Sequence, residues 1–397
     1  MRHYLWIVSL LALSNFCLGV AEFLISGILT KLSRYYGVSN SQVGGLVTLY
    51  TLGMVMSMPI VNVLLSRFNY RNQLVFTLST FTLSNVFMFF SHSFSNVLAA
   101  RFVGGLMHGL FFVISTIICL KAAPKTKMNM ALGLVLSGIT IALITGVPLG
   151  ILIAKYLGLL TPFLLIACVA SLIALLALLT MPKFSSKPTN LKNLGTAFGF
   201  APVWQGFLVT ALSFGSMFVV YIYLRVLLEK HHFSPENIAD MYLYFGIAAT
   251  LGILFGGKLT DLKGSFTALS FLLTMQVLSL SAMSFSHYLP KVFVTANVIA
   301  FGFFGFACTA PLKTLCSHLA RIFTPHTQND TITLNETSFF KGVALASIVG
   351  GLTIHYLDID FNGVCAALFP LSALLILHFG IKKPVFGKDR DLVTPNH

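Results

Sequence analysis

From Leu5 to Leu29 the chain runs through 25 residues with a single charged side chain, Glu22. As a helix rising 1.5 Å per residue, that stretch reaches about 37 Å, enough to cross a hydrocarbon core of about 30 Å with some tilt. Eleven more apolar stretches follow, roughly at 43–65, 73–91, 97–120, 131–154, 162–181, 203–224, 238–257, 266–286, 291–312, 333–356 and 363–381. Gly, Pro, Asn and Lys/Arg clusters punctuate them. The expected fold class is therefore an all-α integral membrane protein with twelve transmembrane helices. Composition agrees: 9% of residues are charged and the mean hydropathy is +0.88, whereas a water-soluble domain carries about 25% charge. The first stretch is too long for a signal-peptide core, and no convincing cleavage site follows it.

A net charge of +14 invites a nucleic-acid reading, but the basic residues are spread between apolar stretches and form no patch. Topology accounts for them better. With both termini on one side, that side holds seventeen Lys and Arg and the other six; Arg101 and Lys341 lie inside spans. Positive charge favours the cytoplasm, so both termini are expected there. The six cysteines, Cys17, Cys119, Cys168, Cys308, Cys316 and Cys365, lie in or at the ends of apolar stretches with no CxxC spacing. They read as small buried hydrophobes, with neither a disulfide nor a metal site implied.

The longest hydrophilic connection in mid-chain follows six spans. It divides the chain into an expected N-terminal bundle (1–181), a cytoplasmic linker (182–202) and a C-terminal bundle with a short tail (203–397). A weak repeat supports the division. Gly257-Lys258-Leu259-Thr260-Asp261-Leu262-Lys263-Gly264 follows span 8, and Asn62 to Arg71, containing Arg67, occupies the same place after span 2. Internal symmetry of this kind marks secondary transporters, whose substrate sites lie between the repeats.

Three further motifs sharpen the picture. Span 4 opens Arg101-Phe102-Val103-Gly104-Gly105-Leu106-Met107-His108-Gly109, an R-x-x-x-G-x-x-x-G pattern at Arg101, Gly105 and Gly109. Span 5 carries Gly138, Gly146, Pro148 and Gly150. Span 1 carries Gly19-Val20-Ala21-Glu22-Phe23, and span 11 has Leu334-Asn335, Phe339, Gly342 and Gly350-Gly351. Together these features resemble the major facilitator superfamily over nearly the whole chain, and within it the bacterial drug:proton antiporter group that includes arabinose and multidrug efflux permeases. The resemblance implies two pseudo-symmetric six-helix bundles in a bacterial inner (plasma) membrane. It gives Arg67, Arg71, Gly257, Asp261 and Gly264 to loop signatures that govern conformational change. Gly105, Gly109, Gly138, Gly146, Pro148 and Gly150 go to the span 4 and span 5 motifs. Where the family's first loop has Gly, Asp and Gly, this chain has Asn62, Ser66 and Asn69.

A carboxylate inside a span costs roughly 2.5–3.5 kcal/mol on insertion scales, so Glu22 needs compensation or a use. As a proton carrier it holds a proton when sealed and releases it when a path to water opens. The plainer account is a structural carboxylate hydrogen-bonded within the bundle. Arg101, at a similar height in the same half, is its natural partner; alternatively it reaches the nearby interface along its stem. His108 lies two turns deeper and can join a relay or sit neutral in the packing. Asn85, Tyr221, Tyr242, Asn335 and Lys341 are candidates for a substrate cavity. Lys341 stands near mid-span, five residues from Glu336 and thus poorly placed to pair with it on one helix face. It is expected to meet an anionic or polyhydroxylated substrate, or else to reach a carbonyl or the interface. His231, His232 and Glu236 read as an ordinary loop rather than a metal site.

No G-x-x-x-x-G-K-[ST] loop occurs, so ATP-driven pumping is not expected of this chain. The first expectation is a proton-coupled antiporter exporting a drug, sugar or metabolite by alternating access. Its partners are a small-molecule substrate, protons and the lipid bilayer, without cofactor or nucleic acid, and the architecture can work as a monomer. The alternatives are a proton symporter or uniporter importing a solute in the same fold, a membrane enzyme, or a non-transporting membrane scaffold.

Overall fold

The computed structural model describes residues 2–57, 62–65, 67–124, 127–185, 199–288 and 290–381, and every regular element among them is helical. In chain order the long helices are α1 (Arg2–Tyr36), α2 (Asn40–Met56), α3 (Tyr70–Phe90), α4 (Phe94–Ala122), α5 (Met130–Tyr156) and α6 (Thr161–Thr180). There follow α7 (Ala201–Lys230), α8 (Pro235–Lys263), α9 (Ser265–Met283), α10 (Lys291–Phe323), α11 (Leu334–Tyr356) and α12 (Ile359–Gly380). All but α2 are long and apolar enough to cross a membrane, eleven among the described residues. The expected second span is seen as α2 and a helical turn, Asn62–Leu65; residues 58–61 between them lie outside the described set. Most of the expected linker, 186–198, also lies outside it.

Helix ends follow from local chemistry. Ser39 and Gln42 form a reciprocal capping box at the start of α2, which satisfies two otherwise orphaned N–H groups. Asn69 caps α3, its side-chain oxygen accepting from Asn72 N at 2.9 Å. The residue that departs from the family's glycine thus has a structural task of its own. Gly264, between α8 and α9, has φ +76°, a left-handed conformation that glycine adopts without a Cβ penalty.

Two helices depart from a simple rod. In α5, residues Ala142–Gly146 form a π-helical turn, and Val147 N donates five residues back to Ala142 O. Pro148 has no N–H to offer Ile144 O, so the normal ladder is already interrupted there. α10 consists of Lys291–Ala307 and Thr309–Phe323 joined at Cys308, and it runs eleven residues past the expected end at 312. Its second part buries Leu312, Leu315, Cys316 and Leu319 while exposing Lys313, Thr314 and Arg321. The two-faced pattern is that of a helix packed on one side and wetted on the other.

Close helix crossings rest on glycine. A Cβ on Gly105 would overlap Tyr50 O, and one on Gly109 would stand 2.5 Å from Met54 O. Only a bare Cα therefore lets α4 lie against α2 this closely. A Cβ on Gly138 would overlap Ala12 O, and Gly146 and Gly150 meet Val20 and Leu24 in the same way, so α5 lies against α1.

The chain forms two compact units, Met1–Leu191 with Ile222–Gly246, and Lys192–Tyr221 with Ile247–His397. The end of α7 and the start of α8 thus pack with α1, α2 and α5.

Candidate functional site

The first unit buries a cluster of ionisable groups around Glu22. Glu22 on α1, Tyr50 on α2, and Arg101 and His108 on α4 are each at most 4% exposed. His108 Nδ1 lies 3.6 Å from Glu22 Oε2 and 3.0 Å from the Tyr50 hydroxyl. The other face of the imidazole region is closed by Phe112, with ring centroids 5.7 Å apart. Arg101 Nη1 donates to Ala21 O at 2.8 Å, Nε points to Leu46 O at 3.4 Å, and Cζ stands 3.9 Å from the centre of the Tyr50 ring. The guanidinium is therefore held by backbone carbonyls and a π face. Three polar atoms of the cluster have no hydrogen-bond partner: Glu22 Oε1, Arg101 Nη2 and His108 Nε2.

The structure brings Glu22, Arg101 and His108 together, but in an arrangement the sequence did not specify. Among the described residues no ion pair joins Arg101 to Glu22. The guanidinium instead takes the carbonyl of Ala21, the residue before the acid, and His108 is the group facing the carboxylate. Tyr50 was not anticipated. Its only sequence signal is a tyrosine inside an apolar span, which also describes Tyr221 and Tyr242.

The residues considered for a substrate cavity have separate surroundings. Asn85 is buried on α3, where its Nδ2 donates to Phe81 O at 2.8 Å. Tyr242 is buried in the first unit and Tyr221 in the second, where Tyr221 packs on Phe218. Asn335 is buried and accepts from Thr210 at 2.8 Å, a neutral link between α11 and α7. Lys341 is exposed on α11, and Glu336 pairs with Lys313 of α10 at 3.1 Å. Of the loop residues, Arg67 and Asp261 are exposed, and Arg71 Nη1 points to Leu178 O at 3.4 Å. A Cβ on Gly257 would meet nothing nearer than Ala310 Cβ at 4.0 Å, so no close crossing requires this glycine. No group of three or more His, Cys, Asp or Glu that could hold a metal occurs among the described residues.

A second charged network was missed altogether. Arg225, near the end of α7, is 2% exposed. Its Nη1 donates to Gly27 O, and its Nε lies 2.8 Å from both Thr30 Oγ1 and Glu229 Oε1. Thr30 in turn donates to Glu229 at 2.9 Å, and Lys155 pairs with Glu236 nearby in the same unit. In sequence Arg225 is only a cation at a span end, nearly 200 residues from Gly27.

The fold is that of a multi-pass membrane protein, and comparison with known proteins gives its family. The Major Facilitator Superfamily profile matches residues 11–321. The chain is 26% identical to the MFS-type transporter YtbD of Bacillus subtilis, covering 92% of this chain and 93% of that protein. It is 27% identical to the inner membrane transport protein YdhP of Escherichia coli K12, covering 94% and 95%. It is 24% identical to a "Probable sugar efflux transporter" of Helicobacter pylori 26695, covering 94% of each. A bacterial homologue of the human lysosomal transporter Spinster, solved inward-facing and occupied, superposes with a TM-score of 0.78 at 15% identity, covering 98% of each chain. This chain belongs to the major facilitator superfamily. It is a multi-pass membrane transporter of small molecules and not an enzyme.

Proposed function

We propose that the protein is a proton-coupled antiporter that exports a small organic molecule, a sugar, drug or metabolite, with both termini in the cytoplasm. Its two six-helix halves, 1–181 and 203–397, alternate in exposing a site to either side. The observation that carries this reading is the sealed contact of Glu22 with His108 at 3.6 Å, with Glu22 Oε1 and His108 Nε2 unpartnered.

The chemistry is a single proton with two seats. On Glu22 it leaves a carboxylic acid beside a neutral imidazole. On His108 it leaves a carboxylate beside an imidazolium. The transfer does not alter the net charge of the cluster, so it avoids the large cost of bringing a bare charge into a dry interior. When the proton leaves to water, Arg101, bonded to the carbonyl of the residue before Glu22, remains as a fixed counter-charge. Antiport follows when substrate and proton occupy the protein alternately.

Export is supported by the sugar efflux relatives and by the Gly138, Gly146, Pro148 and Gly150 motif on α5. Lys341 is assigned to the substrate path, because lipid disfavours an exposed ammonium part-way along an apolar helix. The Arg225 network is read as a tie that parts and re-forms in each cycle.

The test is reconstitution in liposomes with a pH dye inside, an imposed proton gradient, and drugs, sugars and metabolites added one at a time. One compound class is expected to drive proton movement that Glu22→Gln abolishes. Solute movement without protons, or undiminished proton movement in Glu22→Gln, contradicts the reading. Accumulation with the proton flux rather than against it identifies a symporter.

A further inference from the structure

A small polar cavity lies between α2, α3 and α4. Tyr50, Ser84, Asn85, Met88, Arg101 and Gly104 line it, and it has room for about one water molecule. All of these residues are buried. The donors and acceptors around the space are complementary. On α3, the Ser84 hydroxyl spends its donor on Phe81 O, and one of the two Asn85 Nδ2–H groups donates to the same oxygen, at 2.8 Å each. What α3 has left to offer is the lone pairs of Ser84 Oγ and Asn85 Oδ1, beside the second amide N–H. Arg101, which also lines the space, carries two N–H groups on Nη2 with no partner. An unmatched charged donor in a dry interior is expensive. An anion in this space would face two lone-pair oxygens, whereas a water can accept from the guanidinium and donate to both.

We infer that this cavity is a structural water site, in which one water accepts from Arg101 Nη2 and donates to Ser84 Oγ and Asn85 Oδ1, making these two α3 residues positioning residues for the Glu22 cluster. The line of action is short. The water fixes one end of the guanidinium, Ala21 O fixes the other, and Ala21 precedes Glu22. The water site stands on its own observations. The positioning role rests on the proton-handling reading above.

Gly104 supplies a gentle way to empty the site. A Cβ there would stand 3.2 Å from Ser84 Oγ and 3.3 Å from the Tyr50 ring, intruding on the space without meeting backbone. Radiolytic labelling in isotopically heavy water oxidises buried side chains that touch a bound water. Met88, 1% exposed and lining the cavity, is the reporter. Met54, 0% exposed and packed at the Gly109 crossing, is the control.

Heavy-oxygen label is expected on Met88 but not on Met54, and is expected to be lost at Met88 in Gly104→Ala, where the added methyl takes the water's space. Label at Met88 no greater than at Met54, or unchanged in Gly104→Ala, overturns the water site whatever Glu22 does. Proton release by the reconstituted transporter is then followed against pH. Gly104→Ala and Asn85→Ala are each expected to displace the profile by about one pH unit, the worth of one hydrogen bond to a charged group. An unmoved profile with Met88 label lost overturns the positioning role and leaves the water structural. Proton movement that persists in Glu22→Gln overturns the parent reading and leaves the labelling result intact.

Discussion

The two halves of the molecule repeat their helix crossings but not their chemistry. Gly138 on α5 meets the Ala12 carbonyl on α1, and Gly342 on α11 meets the Ala211 carbonyl on α7. Gly53 on α2 meets Phe102 O on α4, and Gly252 on α8 meets Phe303 O on α10. These contacts fix a register between the halves. Ten residues beyond Ala12 stands Glu22, and ten beyond Ala211 stands Tyr221. Six residues beyond Phe102 stands His108, and six beyond Phe303 stands Thr309. Arg101 corresponds to Gly302 and Tyr50 to Ala249. Every member of the ionisable cluster has a neutral counterpart. The second unit instead buries amides, hydroxyls and rings: Thr210 on Asn335, Ser216 facing Gln276 at 3.4 Å, and Phe214 edge-on to Phe339 at 4.4 Å. The backbone crossings are what the fold requires of both halves. The charge cluster is what only one half has been given, and that is why it is read as functional.

The comparison can be broken most sharply at the crossings. Gly53→Ala and Gly252→Ala each drive a Cβ into a backbone carbonyl, of Phe102 and Phe303 respectively. Both are expected to cost about 3 kcal/mol, read as a lowered unfolding midpoint in detergent, whereas Gly133→Ala, with open space around it, holds or gains stability. Loss at one crossing and not the other would undo the register argument. Next in size is Tyr221→Glu, which sets an acid in the second unit where Thr309 and Gly302 replace histidine and arginine. It should cost roughly 2.5 kcal/mol by the same measurement, and a fully stable variant would mean that a buried acid there needs no cluster. Arg225→Gln removes the hydrogen bonds to Thr30, Gly27 and Glu229 and is expected to cost about 1–2 kcal/mol. Lys155→Ala, by contrast, loses a partly solvent-exposed pair with Glu236 and a wetted contact with the neighbouring Tyr156, and should leave the midpoint nearly where it is. An equal effect of the last two would show that burial does not distinguish these networks.

Much of the fold was legible because membrane helices announce themselves by length and apolarity, and the glycine motifs announce the crossings. Glu22 and Arg101 were legible for a related reason: a charge inside an apolar span is rare enough to need an explanation. What joins them was not. The His108 to Glu22 contact depends on how α1 and α4 rotate about their axes, and sequence spacing along one helix cannot report a rotation between two. Tyr50 was hidden by its ordinariness, as one aromatic among many in apolar spans. Arg225 was hidden by position, since a basic residue at a span end reads as an interfacial charge until tertiary packing buries it. The α5 π-turn was half legible, because Pro148 marks a missing hydrogen bond but not how the helix absorbs it.

The central claim is that Glu22 carries an exchangeable proton inside the sealed first unit. Infrared difference spectroscopy of the reconstituted protein, recorded across a pH step, reads that proton directly from the carbonyl stretch of a protonated carboxylic acid. The account predicts a carboxylic-acid band that appears and disappears across the step, is absent in Glu22→Gln, and is shifted in His108→Gln by loss of the neighbouring imidazole. A wild-type spectrum without such a band, or one whose band persists in Glu22→Gln, would contradict it.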